Sequence, residues 1–152
     1  MRIKPVSMLS GLLLLLALPL AANADLPGKH PYYLHALSDL RTARWMLEHR
    51  PGDPAVSAQE DVAITEIDKA IGEIKKASID DGKGLNDPFT IDTHLSPHDR
   101  FRKANELLWA AHNDLSKAED VPESRGLRDR AIGHVDKAHQ IVDTAQSTAR
   151  WE

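Results

Sequence analysis

Four stretches of this chain carry apolar residues in alternating steps of three and four. That spacing places them on one face of an α-helix and excludes the two-residue alternation of a half-buried strand. The first runs over about 31–49 with Tyr33, Ala36, Leu40, Ala43 and Leu47, and Pro31 suits its first turn. The run Arg50-Pro51-Gly52-Asp53-Pro54 then stops it. The second, about 58–78, carries Ala63, Ile67, Ala70, Ile74 and Ala77 behind the capping pattern Ser57-Ala58-Gln59-Glu60. The third, about 97–118, carries Phe101, Ala104, Leu108, Ala111, Leu115 and Ala118. Ser96 is placed to cap it, with Pro97 in the first helical position. The fourth begins between Pro122 and Gly126, runs to about 148, and carries Ala131, Val135, Ala138, Val142 and Ala145.

A shift of 68 residues superposes the first helix on the third and the second on the fourth without a gap. Residues 33–78 and 101–146 then share twelve identities. Amphipathic helices often share Ala and Leu at such spacing. They do not ordinarily share a turn proline (Pro54 and Pro122) and the run Asp68-Lys69-Ala70 with Asp136-Lys137-Ala138 at the same offset. One helical hairpin cannot cover its own apolar faces, whereas two packed face to face can. The expected fold is therefore all-α: an up-down four-helix bundle of two tandem αα-hairpins, 31–78 and 97–148. The connection of 79–96 between them is long for a bundle, where 2–8 residues are usual.

Residues 1–24 read as a secretory signal peptide. Arg2 and Lys4 give a positive start, Met8 to Leu20 is apolar, and Ala22-Asn23-Ala24 is a cleavage signature. The apolar stretch is shorter than the ~20 residues of a spanning helix. The expectation is a periplasmic or secreted domain of 25–152 with no membrane span after cleavage. Loss of Arg2 and Lys4 takes the formal charge from −4 to −6. No cysteine is present, which removes disulfides, thiolate metal sites and cysteine nucleophiles. Net acidity and 5% aromatic residues argue against a nucleic-acid surface. Neither a phosphate loop nor a G-x-S-x-G turn occurs, and a non-enzymatic role is expected.

Histidine is the chemistry this sequence does carry. In an up-down bundle the starts of helices one and three, the end of helix four and the long connection share one end. That arrangement would gather His30, His35, His94, His98 and His139, with Asp143 four residues beyond His139. Neutral imidazole with carboxylate suits Cu, Zn or Ni better than Ca or Mg. For each histidine alone, a solvated helix surface is the plainer reading. A second possibility is an apolar patch around Trp45, Met46 and Trp109, which lie off the main stripes and could bind polypeptide. The stretch Ala131-Ile132-Gly133-His134-Val135-Asp136-Lys137-Ala138, with the leader and the repeated helices, resembles small exported helical-bundle proteins of bacteria. Some of these are histidine-bearing metal binders. The resemblance implies an exported binding protein whose partner is a metal ion or an envelope protein.

Overall fold

The computed structural model describes residues 32–49, 57–80, 91–117, 119 and 121–149, without the side chains of Ser57 and Asp80. Residues 1–31, His30 among them, and 50–56 lie outside these. The described residues form four helices and no strand: α1 (Tyr32–Glu48), α2 (Ser57–Asp80), α3 (Pro97–Leu115) and α4 (Pro122–Thr148). Local chemistry explains where α3 and α4 begin. Ser96 Oγ accepts the N–H of Asp99 at 3.2 Å, and Pro97 occupies a first-turn position whose N–H would have no helical partner. Val121 caps α4 without a side-chain bond, and the Glu119 carboxylate two residues upstream takes the Val121 N–H at 2.8 Å.

All four helices turn their striped faces into one core. Every stripe residue whose side chain is described is buried, from Tyr33 to Leu47 on α1 through Ala131 to Ala145 on α4. Each fully buried Leu or Ile contributes ~1.5–3 kcal/mol, while the alanines between them let the helices approach closely. The buried face of α1 is wider than its stripe. Leu34, Leu37 and Met46 are buried too, and Ile91 and Leu95 of the connection pack on the same cluster.

Side-chain pairs fix the direction of each helix. At one end of the molecule the start of α1 meets the end of α3. There His35 faces Asp114 at 3.9 Å, Lys117 lies 3.9 Å over the Tyr32 ring, and Tyr33 donates a hydrogen bond to Glu119. At the other end Arg100, in the first turn of α3, donates to the carbonyl of His49 just past α1. Helices α1 and α3 are therefore antiparallel. So are α2 and α4, through Glu66–His134 (2.7 Å) and Glu73–Arg130 (2.7 Å). The pair α3 and α4 runs likewise, through His112–Asp136 (2.6 Å) and Asn105–Asp143 (3.4 Å). Helix α1 also packs on α2, joined by Arg44–Asp68 at 2.6 Å, whereas α1 and α4, and α2 and α3, lie across the diagonals.

This differs from the up-down-up-down order expected from sequence. In chain order the helices run up, down, down, up. Helix α2 ends beside the start of α1, and α3 starts at the opposite end. The long connection thus joins two points at opposite ends of the bundle, a task that a short turn cannot perform.

Candidate functional site

The reversed direction of α3 separates the histidines that the sequence reading gathered. His35 stands on the exposed face of α1 near its start. His94, in the turn before α3, and His98, in its first turn, are exposed at the other end. From the level of His98 to that of Asp114, which faces His35, is about 24 Å along a helix. His139 lies part-way along α4 against α3, and Asp143 one turn further accepts a bond from Asn105. His30 lies outside the described residues. Among the described residues no three His, Asp or Glu side chains converge in a way that could hold a metal ion.

The apolar patch also divides. Met46 is 2% exposed and belongs to the core. Trp45 is half-buried, stacked on His49 at 4.1 Å, with the Arg100 guanidinium 5.7 Å from its ring. Trp109 alone of the three is open, 53% exposed on α3.

Trp109 stands at the lip of a groove between α3 and α4, a space of about 190 Å³ lined by Leu108, Trp109, His112, Asp136 and His139. Helical spacing explains the grouping. Leu108 and His112 are four apart on α3, and Asp136 and His139 three apart on α4, so each pair shares a face. His112 bridges the two helices through Nδ1, 2.6 Å from Asp136 Oδ1, and its ring meets the Trp109 indole edge-on at 5.7 Å. The groove brings together one residue expected as a metal ligand, His139, and one expected in the patch, Trp109. His112 and Asp136 escaped the sequence reading. Asp136 enters the sequence pattern only through the repeated Asp-Lys-Ala run, and His112 through none. The i,i+3 pair Asp136/His139 was the available signal.

Two other polar clusters sit between helices. Glu66 is 3% exposed on α2 and receives hydrogen bonds from Lys137 (2.8 Å) and Lys69 (2.9 Å), with His134 Nδ1 at 2.7 Å. Those partners, Lys137 first, hold its carboxyl down at about 2. Asp39 on α1 has the opposite environment. Burial, and then the charge of Asp114, push its carboxyl up to about 6 against the pull of His35 and Lys103. The Glu66 cluster ties α2 to α4, whereas Asp39 on α1 faces the like charge of Asp114 on α3.

Comparisons with protein-family models, with curated proteins and with solved structures give no match to this chain. Its function has to be argued from its own side chains.

Proposed function

We propose that the chain is an exported, non-enzymatic helical-bundle binding protein that takes an apolar side chain of a polypeptide into the α3/α4 groove. The observation that carries this reading is Trp109, a large aromatic off the stripes, 53% exposed beside a recess, in a molecule whose described stripe residues are buried. The size of the recess favours that occupant. About 190 Å³ is below the roughly 300–1,000 Å³ of pockets that enclose small molecules, and suits one large side chain. Trp is also one of the residue types enriched at binding hot spots.

The tandem-hairpin reading belongs here as well. A hairpin packed on its own copy about a twofold axis brings residues near the axis against their own equivalents. Glu66 and His134 are 68 positions apart, equivalent in the repeat, and in contact. That contact supports an origin in two hairpins that once paired as separate copies. The pattern of residues 1–24 supports export.

The test is suppression of aggregation of a chemically unfolded client by the mature protein. Trp109→Ala is expected to weaken it about tenfold in effective concentration. Equal suppression by Trp109→Ala, with its helicity intact by circular dichroism, would sink the reading.

A further inference from the structure

We propose that the polar wall of the α3/α4 groove binds a divalent transition-metal ion of the Cu, Ni or Zn class between the imidazoles of His112 and His139. Asp136 serves as the positioning residue. The metal suggested by the histidine content is thereby assigned to a different pair of helices from the connection end.

Three observations on the molecule converge. First, His112 from α3 and His139 from α4 line the same recess, so two imidazoles reach one space from two rigid elements. Second, the Asp136 carboxylate holds His112 Nδ1 at 2.6 Å. With a proton on Nδ1 donated to that carboxylate, Nε2 keeps its lone pair and is the ligand atom. Carboxylate–imidazole–metal relays are built this way, and the carboxylate both fixes the ring and raises its basicity. Third, about 190 Å³ open to solvent accommodates an ion together with the waters that complete its coordination.

The protein offers two direct ligands here, in keeping with the absence of any three-residue ligand group among the described residues. On binding, each imidazole nitrogen replaces a water on the ion, and the proton of His112 stays on Nδ1, shared with Asp136, so no proton is released and no covalent bond of the protein is broken. Two imidazoles with water in the remaining positions favour Cu(II) and Ni(II) over Ca or Mg. The site is an exchangeable one, unlike a closed structural centre, which fills all its positions with side chains.

Trp109 provides the readout, since its indole lies 5.7 Å from the His112 ring. Untagged mature protein is titrated with CuCl₂ and with NiCl₂ while tryptophan emission is followed, and EDTA is then added. A saturable, EDTA-reversible quench is expected, reduced by more than half in Trp109→Phe. His112→Ala and His139→Ala are each expected to raise the apparent Kd at least tenfold. Asp136→Asn is expected to raise it about tenfold while leaving the thermal midpoint of the metal-free protein unchanged, which a purely structural role would not do. His35→Ala and the double variant His94→Ala/His98→Ala are expected to bind as wild type. Nuclear magnetic resonance gives a second measurement: Cu(II) should broaden amide signals around 112 and 139 first. Wild-type affinity in both His112→Ala and His139→Ala overturns the proposal, as does loss of binding in His94→Ala/His98→Ala. The inference does not rest on polypeptide binding. Client protection persisting in EDTA while the quench is absent would leave that reading standing and remove this one.

Discussion

Two carboxyls in the same bundle titrate in opposite directions, and each makes a signed prediction. Asp39 has its carboxyl raised from 3.8 to about 6, by burial first and then by Asp114. Between those values the folded state binds more protons than the unfolded state, so stability falls as pH rises through the window. The full penalty is present above about 6. Asp39→Asn removes the group that resists ionisation. It should raise stability at pH 7.5 by about 1–2 kcal/mol and by close to nothing at about pH 3, measured as urea midpoints at the two pH values. A lowered midpoint at pH 7.5 would show that the aspartate is needed ionised. Glu66 runs the other way. Its carboxyl is depressed from 4.5 to about 2, chiefly by Lys137 and Lys69. Its stabilisation is complete above 4.5 and is lost as pH falls towards 2. Glu66→Gln should cost about 1–3 kcal/mol at neutral pH, a cost that fades between pH 4.5 and 2. Lys69 and Lys137 are half-exposed and can return to water, which keeps the figure below that of a fully enclosed pair. A loss that is the same at pH 2.5 and pH 7 would mean that packing, not charge, sets it.

At the scale of the helix, local sequence chemistry was most legible. Ser96, Pro97 and Asp99 mark the start of α3, and Ser96 Oγ both accepts the Asp99 N–H and donates to its carboxylate at 2.6 Å. Ser96→Ala should lower stability by ~1 kcal/mol. Gly133 is exposed within α4, and a Cβ there meets nothing within 4 Å. Gly133→Ala should therefore raise stability by ~0.5–1 kcal/mol, read as a higher thermal midpoint. The stripes were legible for the same reason: burial of one face imposes a period on the sequence. Leu34, Leu37 and Met46 were not, because they lie beside the stripe, and a period names only the centre of a buried face. Met46 looked like a patch residue for that reason and is core. The candidate site was less legible still. His112 and Asp136 sit on solvated-looking positions of two different helices, and what joins them is the pairing of α3 with α4, which no local pattern encodes.

For the whole molecule, direction is the property that periodicity leaves undetermined. A stripe says which face of a helix is buried and nothing about which way its neighbour runs. The length of the 79–96 connection carried that information, because eighteen residues are unnecessary for a turn but suit a path between opposite ends. The consequence reaches function: with α3 and α4 both reversed against the expected order, His35 and His98 part, while the relation of α3 to α4, and hence the groove, is unaffected. Direction can be measured in solution. The chain has no cysteine, so introduced pairs carry spin labels without competition. Glu48, at the end of α1, is level with the start of α3 in the antiparallel arrangement, where Arg102 lies; Asn113 lies eleven residues further along α3. Labels at Glu48→Cys/Arg102→Cys should therefore be closer than labels at Glu48→Cys/Asn113→Cys by about 15 Å, from the rise of 1.5 Å per residue. An up-down-up-down bundle reverses the order, because parallel α1 and α3 would bring Glu48 level with the end of α3. The sign of that one difference decides between the two topologies, and with it whether the histidines of the connection end can ever meet His35.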